Sequence, residues 1–136
     1  MKIEEQVLSI EQMKHLQELG VDTSDASMCW LRYDVGGVVK QYVEINDVKW
    51  HEWSRATPYP TYTIGDLIKK LPKSIDIAYG EYDLEILIKG EYTEVKYTND
   101  GDYTPFFCAN LSLIESLYRI LCWLAENHKE LLEGKK

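Results

Sequence analysis

The sequence predicts an α+β protein: an antiparallel sheet of four to five strands, formed by two hairpins, with a long C-terminal helix and two shorter helices packed mainly on one face. Three observations indicate this class. Apolar residues recur at helical spacing in three segments, polarity alternates on both sides of two glycine turns, and helices and hairpins follow one another along the chain. No repeat or low-complexity linker interrupts the 136 residues, so we expect a single domain over 1–136.

The first element is a short amphipathic helix over residues 10–19. Ser9 and Gln12 have the spacing of a capping box, and Gly20 stands where a residue in the left-handed region ends a helix. The apolar stripe of this helix consists of Ile10, Met13, Leu16 and Leu19. These features predict a helix that packs one face on the rest of the protein.

A hairpin is predicted next, with strands at about 27–34 and 38–45. Both segments are rich in β-branched and aromatic residues, and the pair Gly36-Gly37 supplies the turn between them. Polar and apolar residues alternate on both sides of the turn, so the pattern does not say which face of the hairpin is buried.

The middle helix is predicted at about 64–71. Thr63 is a suitable N-cap residue, and Pro72 ends the helix. The lysines at its end, Lys69, Lys70 and Lys73, favour the helix dipole and need no ligand to explain them.

A second hairpin and a long helix complete the chain. The hairpin has strands at about 82–88 and 92–98 with a turn at Lys89-Gly90, and residues 75–79 are a candidate for one more short strand. Ser112 and Glu115 form a second capping box, which begins a helix predicted at about 113–132. A helix of that length spans about 30 Å and is long enough to cross a sheet of this size.

Composition excludes several classes of function. The 23 acidic and 15 basic residues give a formal charge of −8, which repels nucleic acid and anionic membranes, so we expect neither as a partner. The N-terminus lacks the basic start and apolar run of a secretory signal, and no apolar stretch is long enough to span a bilayer. These features predict an acidic cytoplasmic protein.

The cysteines and histidines do not form a metal-binding pattern. Cys29, Cys108 and Cys122 are an odd number at wide spacing, and each lies among apolar neighbours, as is typical of buried thiols in a reducing compartment. His15 and His128 lie on or near helices and need no catalytic role. We therefore expect no metal and no cofactor.

The strongest candidate for a binding surface is the aromatic connector, residues 48–63 with the sequence VKWHEWSRATPYPTYT. Tyrosine, tryptophan and arginine are enriched at the centres of protein interfaces because they offer a large contact area with a polar tip. The candidate interface residues are Trp50, His51, Trp53, Arg55, Tyr59 and Tyr62. Two other interpretations stay open: the rings close one end of the sheet, or they line a pocket for a small molecule.

Function is predicted as non-catalytic protein binding or self-association through this connector, with an exposed strand edge as a second candidate contact. The alternative is a small enzyme or ligand-binding domain that uses His51 with Glu52, or one of the cysteines. A third hypothesis, mimicry of nucleic acid by the acidic surface, is disfavoured because the acids are scattered. No motif of a known catalytic class is present, so we expect no enzymatic activity.

Three segments resemble those of a group of small uncharacterised proteins from Bacteroides-type bacteria, their phages and mobile elements. The segments are VLSIEQMKHLQELGVDTSDASMCW, TYTIGDLIKKLPKSI and LCWLAENH. They contain caps and core stripes, which specify a fold and no chemistry, and the group brings no activity, cofactor or catalytic residue with it. The resemblance implies a bacterial cytosol or a phage setting.

Overall fold

The structure is a computed structural model that describes residues 3–46, 57–78, 80–99, 101 and 103–133. Helices and antiparallel strands are both present in these ranges, which confirms the α+β class. The chain divides into two compact units, Met1–Asp66 and Leu67–Lys136. That residues 1–136 form a single domain stays a prediction.

In its described residues, the first unit contains a nine-residue helix and a three-stranded sheet. After a short 3-10 turn at Ile3–Glu5, the elements are α1 (Ile10–Glu18), β1 (Met28–Val35), β2 (Val38–Ile45) and β3 (Thr57–Thr61). The strand order is β2-β1-β3, and both pairings are antiparallel. Helix α2 (Ile64–Lys70) spans the division between the two units.

The second unit contains a four-stranded antiparallel sheet and the C-terminal helices. The elements are β4 (Ser74–Ile77), β5 (Gly80–Lys89), β6 (Tyr92–Thr98), β7 (Phe106–Ala109), α3 (Leu113–Asn127) and α4 (Lys129–Glu133). The strand order is β4-β5-β6-β7. The predicted helix at 113–132 is in fact two helices, because the backbone of His128 leaves the helical region with φ −143°.

The predicted helix caps are present. Ser9 Oγ accepts a hydrogen bond of 3.1 Å from the backbone amide of Gln12, and the Gln12 side chain accepts one of 2.9 Å from the amide of Ser9. At the start of α3, Ser112 Oγ accepts from the amide of Glu115 at 3.3 Å. These bonds satisfy amides that have no partner within the helix, which is why each helix begins where it does.

The core of the first unit ties the N-terminal segment to the sheet. The carbonyl oxygen of Leu8 accepts two hydrogen bonds, from Trp30 Nε1 at 2.8 Å and from Thr61 Oγ1 at 2.6 Å. Trp30 lies on β1 and Thr61 on β3, so the segment at Leu8 is held across both strands. Leu8, Leu16 and Leu31 are among the fully buried side chains of this unit.

The core of the second unit lies between α3 and the sheet, where α3 packs on β6 and β7. The buried stripe of the helix consists of Leu117, Ile120, Leu121 and Leu124. Val95 and Tyr97 of β6 are equally buried. The Trp123 ring packs beside Phe106 and Tyr97, with centroid distances of 5.5 and 6.3 Å.

Two expectations about the strands need correction. The hairpins do not join in one sheet: they lie in two separate sheets, of three and four strands. In addition, β3 and β7 were not predicted as strands, because Pro58 and Pro60 in β3 indicate a connector and β7 is only four residues long.

Candidate protein-binding site at the open edge of the N-terminal sheet

Strand β2 lies at the edge of the N-terminal sheet. Among the described strands it pairs with β1 alone, and the register runs without interruption from Met28 opposite Ile45 to Val35 opposite Val38. A regular edge strand of eight residues presents a row of backbone groups to which another chain can bind, and natural edges are usually interrupted by a bulge or a proline. β2 has neither.

The side chains of β2 are exposed and largely apolar. Seven of its eight residues are exposed and Val43 is half-buried, and the strand lies close to the 3-10 turn of Ile3–Glu5. The large apolar side chains have the following exposed fractions: Val38 56%, Val39 47%, Tyr42 48% and Ile45 70%. Apolar residues therefore stand on both faces of a strand at the sheet margin, which is typical of an interaction surface.

The backbone groups that face outward can be assigned from the hairpin geometry. The amide of Asn46 donates to the carbonyl oxygen of Ser27 at 3.0 Å, and in an antiparallel pair every second residue bonds to the same neighbour. Even-numbered residues of β2 therefore bond to β1. The amides and carbonyls of Val39, Gln41 and Val43 point away from β1, toward the open edge.

The opposite edge of the same sheet is blocked by prolines. In the pairing of β1 with β3, Trp30 is opposite Tyr59. Cys29 is opposite Pro60, and Leu31 is opposite Pro58. Odd-numbered residues of β1 bond to β2, so its even-numbered residues bond to β3, and the two prolines occupy the positions of β3 that face outward. Because proline has no N–H, this edge cannot accept another strand regularly. Among the described strands, the sheet therefore has one protected edge and one open edge.

Two opposite charges stand on one face of β2. Lys40 and Glu44 lie on either side of Tyr42, and the residues directly opposite them on β1 are Tyr33 and Cys29, neither of which carries a charge of opposite sign. Four strand residues span about 13 Å, so Lys40 and Glu44 are too far apart to pair with each other. β2 therefore carries no net charge but has a separated positive and negative side chain.

Most of the residues in the predicted connector interface lie outside the described residues. These are Trp50, His51, Trp53 and Arg55, and Glu52 of the alternative site lies there too. Tyr59 is half-buried in β3, and Lys14 Nζ stands 5.4 Å from the centroid of its ring. The structure brings Tyr59 into the sheet beside Trp30, not into an irregular connector.

Tyr62 belongs to the interior of the first unit. Its side chain is 1% exposed, and its hydroxyl lies 2.6 Å from Asp25 Oδ1 and 2.9 Å from the carbonyl oxygen of Asp22. Burial, followed by the hydrogen bond to Asp25, raises the pKa of Tyr62 well above its ordinary value. The ring is not available to a partner, which corrects the expectation that it belongs to a contact surface.

The buried cysteines are poor candidates for nucleophiles. Cys29 is fully buried, and burial together with the charge of Glu44 raises the pKa of its thiol. Burial raises the pKa of Cys122 to about 11. Cys108 is half-buried, with its sulfur 3.8 Å from Ser116 Oγ. A nucleophilic cysteine needs a lowered pKa, and the surroundings of Cys29 and Cys122 have the opposite effect.

The remaining titratable groups form no ligand cluster in the part of the chain that the structure describes. There, no group of three or more histidine, cysteine, aspartate or glutamate side chains could hold a metal ion. His128 packs edge-on against Trp123 at 5.1 Å and lies 3.9 Å from Glu130, as expected for a residue that ends α3. Within the same ranges, no helix is both long enough and apolar enough to cross a membrane.

Sequence reasoning named a strand edge as a candidate contact but did not identify β2 as that edge. The segment VVKQYVEI has apolar residues on both faces, which is typical of a strand in the centre of a sheet, and the sequence alone gave no reason to place it at the margin. The sequence does contain one indication of the strand order: prolines stand at alternate positions of β3, 58 and 60. Prolines at alternate positions are compatible with an edge strand. If β3 is one edge of a three-stranded sheet and β1 is the centre, β2 is the other edge.

Comparison of the chain with known protein families, with characterised proteins and with solved structures finds no match.

Proposed function

We propose that this protein is a small cytoplasmic protein-binding module without catalytic activity. Its binding surface is the open edge of β2, together with the part of the aromatic connector that precedes β3 in the sequence and carries Trp50, His51, Trp53 and Arg55. The observation that carries the proposal is the combination found in β2: a regular edge without a bulge, exposed apolar residues on both faces, and outward backbone groups at Val39, Gln41 and Val43. The resemblance to Bacteroides-type bacterial and phage proteins supports a bacterial or phage setting.

The mode of binding that this surface supports is strand addition. An extended segment of a partner would pair with the outward amides and carbonyls of β2, and its side chains would contact the apolar residues on either face. Main-chain hydrogen bonds supply affinity in this mode, while side chains supply specificity. Within the three-stranded sheet, the blocked edge at Pro58 and Pro60 leaves β2 as the edge for such addition.

The raised thiol pKa values support this proposal over a cysteine enzyme. Cys29 and Cys122 are held as neutral thiols, so a catalytic role for either would work against its surroundings. The alternative that uses His51 and Glu52 has no supporting observation among the described residues.

The proposal is tested with a proline placed at an outward position. Gln41→Pro removes one amide from the open edge and, because that amide points away from β1, leaves the hairpin bonds in place. Gln41→Ala is the matched control, since it shortens the side chain and keeps the amide. Complexes recovered from the native cell, and self-association of the pure protein, are compared for the two variants and the parent chain.

We expect Gln41→Pro to lose its complexes and Gln41→Ala to keep them, with cooperative urea unfolding for both. If both variants form complexes as well as the parent, strand addition at β2 is wrong. The connector is tested separately by the double variant Trp50→Ala/Trp53→Ala, which should lose binding and still fold. A double variant that binds as the parent does would remove the connector from the proposal.

A further inference from the structure

Resting on the proposed function, we propose that the partner of β2 is a second copy of this chain. The two β2 strands pair antiparallel about a twofold axis that passes through Tyr42. Tyr42 then faces Tyr42 of the second copy, Lys40 faces Glu44, and Val39 faces Ile45. Two three-stranded sheets become one continuous sheet of six strands.

The hydrogen-bond pattern limits the possible registers. Val39, Gln41 and Val43 direct their backbone groups to the open edge, so these outward residues must face outward residues of the second copy. That condition requires a twofold axis through a residue and excludes an axis between residues. An axis through Tyr42 satisfies it, because Gln41 then faces Val43.

Charge selects one register from those that remain. An axis through Lys40 or Glu44 would place like charges directly opposite each other, which is destabilising. An axis through Gln41 or Val43 would place both charges opposite uncharged residues. The axis through Tyr42 places Lys40 opposite Glu44 at two symmetric positions, which gives each charge a partner of opposite sign that β1 does not provide.

The apolar side chains fit the same register. Val39 and Ile45, which are exposed in the single chain, face each other at two positions. Lys40, Tyr42 and Glu44 direct their backbone groups to β1, so they form the non-hydrogen-bonded pairs at the new junction. In such pairs, opposite Cα atoms are about 4.5 Å apart and the side chains are closest. The two Tyr42 rings occupy such a pair, where aromatic contacts between strands are favourable.

The assembly closes on itself. Pairing two open edges leaves the two β3 strands as the margins of the six-stranded sheet, and both margins carry outward prolines. No further chain can then add regularly to this sheet, so pairing at its edges should give a dimer and not a fibre. An eight-residue edge buries less than the roughly 800 Å² per partner of stable complexes, so the dimer should be weak and concentration-dependent.

Charge reversal tests the register. Lys40→Glu and Glu44→Lys each place like charges at both symmetric positions, so each variant alone should self-associate about tenfold or more weakly. An equimolar mixture of the two variants restores both opposite-charge pairs in a heterodimer, and its affinity should return to near that of the parent. Sedimentation equilibrium measures both, and urea unfolding checks that each variant folds.

A cysteine scan tests the position of the axis independently. In a Cys108→Ser background, Tyr42→Cys places two thiols at the axis, at a Cα separation that suits a disulfide. Gln41→Cys and Val43→Cys serve as matched controls, because each faces a different residue of the second copy. We expect oxidation to link Tyr42→Cys chains rapidly and the two controls slowly.

The outcomes separate this inference from the proposed function. Recovery of association in the mixed charge variants, with strongest cross-linking at Tyr42→Cys, supports the dimer. A parent chain that stays monomeric, a mixture that does not recover, or strongest linking at position 41 or 43 overturns it. The inference can fail while the proposed function stands. In that case the Gln41→Pro variant would lose binding to another protein, the Gln41→Ala variant would keep it, and the partner of the edge would be that protein.

Discussion

The hydroxyl of Tyr97 donates a hydrogen bond of 2.7 Å to the carbonyl oxygen of Pro72, inside the second unit. Both residues are buried, and the Tyr97 side chain has no measurable exposure. The bond fixes the end of α2 to the centre of the four-stranded sheet, since Pro72 follows α2 and Tyr97 belongs to β6.

Tyr97→Phe should destabilise the protein by about 1–3 kcal/mol, because the buried carbonyl of Pro72 loses its donor while the ring packing stays the same. Urea unfolding monitored by circular dichroism measures the free energy of unfolding. Tyr103→Phe is the control: its ring is 58% exposed, so the change should stay within about 0.5 kcal/mol. If Tyr97→Phe and the parent have the same free energy of unfolding, this hydrogen bond makes no net contribution to stability.

Gly37→Ala should destabilise the first hairpin. Gly36 and Gly37 have φ angles of 58° and 83°, in the left-handed region where a side chain costs about 1–2 kcal/mol. Gly65→Ala in α2 is the matched control, because an added Cβ there meets only ordinary contact and alanine favours a helix by about 0.5–1 kcal/mol. We expect opposite signs for the two changes in thermal unfolding, and two changes of the same sign would contradict the turn assignment.

The pH dependence of stability should contain a contribution from Glu94. Its carboxylate lies 2.8 Å from Lys96 Nζ and accepts a 2.9 Å hydrogen bond from the Tyr92 hydroxyl, and these bonds lower the pKa of Glu94 below its ordinary 4.5. A lowered pKa stabilises the folded state above the unfolded pKa, and the stabilisation is lost as pH falls through the folded pKa.

Glu94→Gln should therefore reduce the free energy of unfolding at neutral pH, and the difference from the parent should shrink below about pH 4.5. Urea unfolding at several pH values from neutral to acid measures the two curves. Glu91→Gln, at an exposed turn position, is the control. A difference for Glu94→Gln that grows on acidification would contradict the sign.

The three thiols should differ in reactivity. Cys29 and Cys122 are buried and the pKa of each is raised, so both should resist alkylation by iodoacetamide in the folded protein. Cys108 is half-buried and should react first. Mass spectrometry of peptides follows each site, with the urea-unfolded chain as the reference. Native labelling of Cys29 or Cys122 at the unfolded rate would show that its burial is not maintained.

Local features of the fold were predictable because their causes are local. The capping box of Ser9 with Gln12 and the cap that Ser112 provides to the amide of Glu115 act within three residues, and the two-glycine turn needs only residues that accept positive φ. The division into two sheets was not predictable in the same way. It depends on which distant strands pair, and the alternation of VVKQYVEI is equally compatible with a central strand and with an edge.

The residues of the candidate site were predictable only in part. The sequence predicts a contact surface in the connector, whereas the surface proposed among the described residues is β2, and Tyr62 is buried with its hydroxyl bonded to Asp22 and Asp25. Residue type alone did not separate an interface tyrosine from a core tyrosine, because both offer a ring with a polar tip. Only the order of the strands in the sheet shows that β2 lies at an edge.

Residue-resolved hydrogen exchange along β2, measured by NMR in dilute and concentrated samples, tests the open edge most directly. In the dilute sample, the amides of Tyr42 and Glu44 should exchange slowly because they bond to β1, and those of Gln41 and Val43 should exchange fast. In the concentrated sample, Gln41 and Val43 should become slow while the other two change little. Fast exchange of Gln41 and Val43 in both samples, or slow exchange of both in the dilute sample, would contradict an open edge that binds a second chain.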